Sequence, residues 1–160
     1  MSMHETLRAF PSARLEGIVR LNDSASLRLA AGLELIGRTD SVNMLVGYAC
    51  ALSMPAFGRD AAWQKAVELT DGLGQLIQWS CSLTVPGHVA EAAGMKALAA
   101  AKEAKNTGAI KRLCANAVAK TVRCAASDAL GRTDVLSSGT VRPPAGATPK
   151  QRSGRAMLAR

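Results

Sequence analysis

The sequence predicts an all-α protein, a compact bundle of five or six helices over residues 1–131 followed by a disordered basic tail over residues 132–160. Three observations carry that expectation. Aromatic residues make up only 3% of the 160-residue chain, so alanine and leucine must fill the core, and alanine has the highest helix propensity of all residues. Apolar residues recur at three- and four-residue spacing, as in Leu29, Leu33 and Ile36, which is the period of a helix face rather than the alternation of a strand. From Arg132 onward that period is lost in a stretch holding Pro143, Pro144 and Pro149 among Gly and Ser, a composition that cannot offset its own ordering entropy.

Each helix has a start and a stop. Ser12 can cap a first one over residues 13–21, with Leu15, Ile18 and Val19 on one side and Asn22 and Asp23 interrupting it. Ser24 caps a second, which Gly37 ends as the residue most tolerant of the left-handed position after a helix. A third, over residues 42–53, is apolar on nearly all sides and is expected to be the most buried; Pro55 stops it. Asp60 reads as the cap of a fourth, running through Trp63, Val67 and Ile77 to Leu83, with Gly72 and Gly74 as points where it can break. The segment over residues 63–83 is expected to be central, beside residues 42–53. Pro86 suits the first turn of a fifth helix, over residues 86–105. Asn106, Thr107 and Gly108 then form a turn, with Thr107 as the cap of a last long helix over residues 109–130 that Gly131 closes. Such short connections make neighbours, so the last two helices are expected to pair as an antiparallel hairpin.

The tetrapeptide Gly-Arg-Thr-Asp occurs twice, at residues 37–40 and 131–134. Both copies fall at expected helix ends, where Gly stops one helix and Thr or Asp starts the next, so both read as punctuation. The preceding residues, LRLAAGLELI and VRCAASDAL, are loosely alike if one residue is skipped, yet no repeat of solenoid length stands out.

Charge is the most informative feature of the chain. Its net charge is +8, and residues 1–95 hold seven basic groups against nine acidic ones, a net of −2. Residues 96–160 hold thirteen against three, a net of +10, so one half carries the whole excess and attracts polyanions. Candidate nucleic-acid-binding residues are Lys96, Lys102, Lys105, Lys111, Arg112, Lys120 and Arg123 on the hairpin, and Arg142, Lys150, Arg152 and Arg155 in the tail. Phe10, Tyr48, Phe57, Trp63 and Trp79 all lie in the other half, so base-stacking platforms are not expected there. A helix-turn-helix reading of VAEAAGMKALAAAKEAK offers mostly alanine to the base edges, which leaves non-specific contact with the phosphate backbone as the simpler expectation.

Other chemistries find little support. His4 and His88 are the only histidines, and with Cys50, Cys81, Cys114 and Cys124 they match no metal-ligand spacing, so no metal and no cofactor is expected. Gly72 and Gly74 lack the third glycine of a dinucleotide loop, and no nucleophile or zinc-protease motif occurs, so the chain reads as no enzyme. The four cysteines read as reduced thiols in the core, with Cys114 and Cys124 sharing one helix beyond disulfide reach. With charges at Glu5, Arg8, Arg14, Glu16 and Arg20 in place of an apolar leader, they suggest an intracellular, reducing compartment. Residues 41–58 and 72–90 hold no Asp, Glu, Lys or Arg, but include Asn43, Pro55, Gln75, Gln78, Pro86 and His88 and suit a bundle better than a bilayer. The expected function is a non-enzymatic structural or assembly protein that oligomerises through Ala-rich helix faces and binds nucleic acid or another polyanion through its basic C-terminal half. The alternatives are a subunit of a larger complex, whose tail threads across neighbours, and a peripheral membrane protein with its basic half on anionic lipid.

Overall fold

A computed structural model describes residues 3–137 in backbone and residues 3 and 5–131 in side chain. Every regular element among the described residues is helical: α1 (Met3–Arg8), α2 (Ser12–Leu21), α3 (Ala25–Arg38), α4 (Val42–Cys50), α5 (Ala56–Leu69), α6 (Leu73–Ser80), α7 (Gly87–Glu103), α8 (Thr107–Asn116) and α9 (Lys120–Ser137). The six expected helices become nine because residues 3–8 add a short one and two of the long ones are each divided.

The divisions have local causes. Thr70 leaves helical geometry at φ −85° and ψ 115°, its hydroxyl donating to the Ala66 carbonyl at 2.7 Å, so α5 ends there and Leu73 opens α6. Ala117, at φ −60° and ψ 136°, ends α8, and the Val118 N–H donates to the Ser80 carbonyl at 2.8 Å. Cys114 and Cys124 therefore sit on different helices, contrary to expectation. Pro55, not Asp60, occupies the N-cap position of α5, and Asn106, not Thr107, caps α8 by accepting from the Ala109 N–H at 3.0 Å. No described glycine has positive φ; Gly37 is helical, and Thr39 closes α3 by donating its hydroxyl to the Leu35 carbonyl at 2.8 Å. The boundary expected after Gly131 falls inside α9, which runs on to Ser137. Helix-forming residues surround this glycine, and one glycine costs a helix only about 1 kcal/mol.

These corrections expose a regularity that sequence inspection missed. Helices α3, α5 and α7 open at Ala25, Ala56 and Gly87, 31 residues apart, and each follows an N-cap residue (Ser24, Pro55, Pro86) with the same interval. Helices α4 and α6 open at Val42 and Leu73, again 31 apart. The two closing threonines, Thr39 and Thr70, share that interval, as do Cys50 and Cys81. The described residues form a stack of helical pairs whose starts keep this interval from α3 to α7, while α8 and α9 open 34 and 33 residues after α6 and α7. Odd-numbered helices α1, α3, α5, α7 and α9 touch in succession to form an inner layer, and α2, α4, α6 and α8 each pack on the inner helix that follows. The expectation that no solenoid-length repeat exists is overturned: the period lies within the 20–45 residues of solenoid repeats, where each unit rests on its neighbours. The two Gly-Arg-Thr-Asp copies stand 94 residues apart, close to three periods; the first closes α3, whereas the second lies inside α9.

Burial follows the layers. Leu15, Leu45, Leu76 and Ile110 face inward from the four outer helices, while α4 leaves Asn43, Met44, Gly47 and Cys50 exposed and is not the most buried element. The largest number of buried residues lies in α7, with Val89, Ala90, Ala93, Gly94, Ala97, Leu98 and Ala101, and the largest share in α6, where Leu76, Ile77, Trp79 and Ser80 are half of the helix. The alanines of α3, α5 and α7 are thus largely consumed within the stack, where small side chains let helices approach closely. Trp63 of α5 and Trp79 of α6 meet edge to face, with centroids 5.6 Å apart, and tie two consecutive helices together.

Cations of one helix close the carbonyl end of an earlier one, where the helix dipole is negative. Arg38 on α3 donates to the Phe10, Arg8 and Leu7 carbonyls behind α1, at 2.7, 2.7 and 3.2 Å. Lys65 on α5 donates to the Ile36 and Gly37 carbonyls of α3, both at 2.9 Å, with the Asp40 carboxylate at 3.5 Å. One period later, Lys96 on α7 donates to the Val67 and Glu68 carbonyls of α5 at 3.0 and 2.7 Å, with Asp71 at 3.8 Å.

Ser80 is a flaw in this packing. Its hydroxyl is fully buried and makes no hydrogen bond among the described residues, whereas the equivalent residue one period earlier is Ala49. Ser80→Ala should therefore stabilise the protein by about 1 kcal/mol, removing an unsatisfied group without opening a sizeable void, and a urea melt checks it. A destabilised variant would mean that the hydroxyl has a partner.

Candidate polyanion-binding surface

The seven candidate cations of the folded part divide into two groups. Lys96 is spent on the carbonyl end of α5, as described above, and its side chain is half-buried. Arg123 bends back to donate to the Ala117 and Val118 carbonyls, at 2.6 and 2.8 Å, and closes α8 in the same manner. Both cations are therefore engaged within the fold rather than free in solvent. A lysine at a helix face and an arginine three residues beyond another lysine look alike in sequence whether they meet solvent or a neighbouring carbonyl.

The other five are exposed: Lys102 and Lys105 around the end of α7, Lys111 and Arg112 on α8, and Lys120 at the start of α9. None forms an ion pair among the described residues, where the salt bridges involve Arg8, Arg38, Lys65, His88 and Lys96. The chain path orders them from the α7–α8 turn, along α8, to the α8–α9 turn, a length set by the ten residues of α8 at about 15 Å. Local geometry fixes the first of them. Lys105 has φ 50°, and the N–H groups of Lys105 and Asn106 donate to the Lys102 and Ala101 carbonyls at 3.1 and 2.8 Å, a Schellman closure with lysine where glycine is usual. Arg142, Lys150, Arg152 and Arg155 lie outside the described residues. The hairpin of α7 with a single last helix is replaced by α7 against both α8 and α9.

The helix-turn-helix reading fails on geometry, since α7 runs unbroken through Gly94 and no turn separates two helices there. Cys50 and Cys124 are exposed, and Cys81 and Cys114 are half-buried against the core, so none of the four is enclosed in it as expected; all four are free thiols. Burial pushes the Cys81 thiol up, with Arg112 opposing it, which keeps the sulfur protonated and unreactive at neutral pH. His88 opens α7 near the Asp60 carboxylate, at 3.7 Å, with both side chains about half exposed. No cluster of three metal-ligating side chains occurs among the described residues, and no helix among them is long and apolar enough to cross a membrane.

An open apolar groove of about 330 Å³ lies beside Tyr48, with Val19, Leu35, Met44 and Met54 among its walls. The Tyr48 hydroxyl donates to a Glu16 carboxylate oxygen at 3.2 Å; burial and that carboxylate both raise the phenol above its ordinary value, so it stays a donor and not a base. No family model, curated protein or solved structure matches the chain.

Proposed function

We propose that this chain is a non-enzymatic helical-repeat scaffold that holds a nucleic acid or another polyanion against its basic C-terminal end. One observation carries the reading: Lys102, Lys105, Lys111, Arg112 and Lys120 stay exposed and unneutralised by the described residues, while Arg38, Lys65, Lys96 and Arg123 are engaged with carbonyl groups of the stack. Charges left free in this way serve no ion pair within the described fold and are available to phosphate groups. The contacts would be to phosphates, without reading of base edges, because α8 presents lysine, arginine and small residues and no aromatic platform. The tail cations Arg142, Lys150, Arg152 and Arg155 would add affinity as a tether.

Fluorescence anisotropy of the full chain with a mixed-sequence duplex, across a salt series, tests this reading. Five phosphate contacts predict a slope of log affinity on log salt of about −4 or steeper. No binding at low salt, or a slope near zero, contradicts it and favours the second reading, a subunit whose stacked repeats offer a surface to other protein chains.

A further inference from the structure

Most large apolar side chains of the protein are inside, but Leu21, Leu52 and Leu83 are 85%, 91% and 87% exposed. They are not scattered. Each stands 31 residues from the next, and each lies three residues before the N-cap of the following inner helix, Ser24, Pro55 or Pro86. The stack therefore carries three leucines along one edge, one per repeat, at the turns that lead into α3, α5 and α7. Those inner helices touch in succession, so the rungs recur at the interval of packed helices, about 8–10 Å. Cys50-Ala-Leu52-Ser-Met-Pro55 and Cys81-Ser-Leu83-Thr-Val-Pro86 share a Cys-x-Leu-x-x-Pro pattern whose cysteine stands at the end of the outer helix and whose proline caps the next inner one, whereas the leucine is almost fully exposed.

We propose that this leucine edge is the surface on which a second copy of the chain docks, in an antiparallel pair. Three evenly spaced rungs are self-complementary: a twofold axis through the middle one sets Leu52 against Leu52, and each Leu21 against the Leu83 of the other copy. Charge agrees. Residues 49–58 and 80–87 carry no charged side chain, so the two copies meet there without like-charge repulsion, and Arg20 and Asp23 beside Leu21 face an uncharged turn. The exposed Phe57, two residues after Pro55, would lie at the side of the central contact. The alanine-rich faces expected to drive oligomerisation are mostly closed inside the stack, which leaves this edge as the apolar surface that repeats outside it. The inference is independent of polyanion binding, which uses other residues.

Sedimentation velocity on the full chain, up to about 100 µM because so small an interface is a weak one, is the test. The wild type should dimerise, Leu52→Asp should raise the dissociation constant at least tenfold, and Leu83→Asp should also weaken the dimer. A side chain exposed this far costs little stability to replace, and far-UV circular dichroism confirms that each variant is folded. In a Leu52→Cys variant with Cys50 and Cys124 replaced by serine, a short bismaleimide should couple two copies through residue 52. A wild type that stays monomeric throughout, or a dimer that neither aspartate weakens, overturns the proposal. So does a monomer that co-sediments with uncharged phosphatidylcholine vesicles through these leucines, since their partner would then be lipid.

Discussion

Gly94→Leu is expected to destabilise the protein by about 3 kcal/mol, lowering its melting temperature by roughly 10 °C. Gly94 lies in α7 where α6 and α9 converge on it. A Cβ built there meets the Ser80 hydroxyl of α6 and the two Val122 methyl groups of α9, at 2.8 and 2.9 Å. Both neighbours are fully buried, and the branched valine has little freedom to turn away. Gly32 and Gly58 make the contrast, because a Cβ at either meets mainly the thioether end of Met54, a flexible side chain that can move. Alanine at position 94 should cost less than leucine, its clash being partly offset by about 1 kcal/mol of helix propensity. Ser80→Ala in the same chain should relieve part of that clash by removing the nearest atom. Thermal melts of the single and double variants measure this coupling; a Gly94→Leu protein as stable as the wild type would mean that α6, α7 and α9 do not meet as described.

Lys96→Met should cost about 1–3 kcal/mol, and Lys65→Met a similar amount, since each strips a charged donor from two carbonyls at a helix end. Methionine keeps most of the aliphatic stem, so the loss reports the ammonium group rather than the packing. The aspartates opposite, Asp71 and Asp40, are 98% and 89% exposed and contribute little. Urea denaturation of both variants, with Asp71→Asn as the control that should scarcely matter, measures the effect. Equal losses at the two positions would reflect their equivalence in successive repeats.

The all-helical class was legible because alanine, leucine and three- to four-residue spacing leave little alternative, and Pro86 marked a real beginning, whereas Pro55, read as a stop, is the N-cap of α5. Helix ends were harder. Thr39 and Thr70 close helices by bonding back to carbonyls, a role that sequence inspection assigned to Gly37 and to breaks at Gly72 and Gly74. The repeat escaped notice because its shared residues, Arg28 and Arg59, Thr39 and Thr70, Asp40 and Asp71, Cys50 and Cys81, are thinly spread through alanine and leucine. The twice-written Cys-x-Leu-x-x-Pro was the available signal for it. Net charge pointed to the C-terminal half, but only the folded geometry separates Lys96 and Arg123, which face carbonyls, from Lys111 and Arg112, which face solvent. Two lysines at equal exposure to the eye of composition can serve opposite purposes.

That division of the cations is the central claim, and paired measurements on two variants test it most directly. In one, Lys102, Lys105, Lys111, Arg112 and Lys120 become glutamine; in the other, Lys96 becomes methionine. Duplex affinity and urea stability are measured for each. The first variant should keep its stability within about 1 kcal/mol and lose most of its salt-sensitive affinity, while the second should lose stability and, where folded, bind as the wild type does. Five neutralised charges that leave duplex affinity unchanged, or a Lys96→Met protein that is fully stable but binds poorly, would contradict the account.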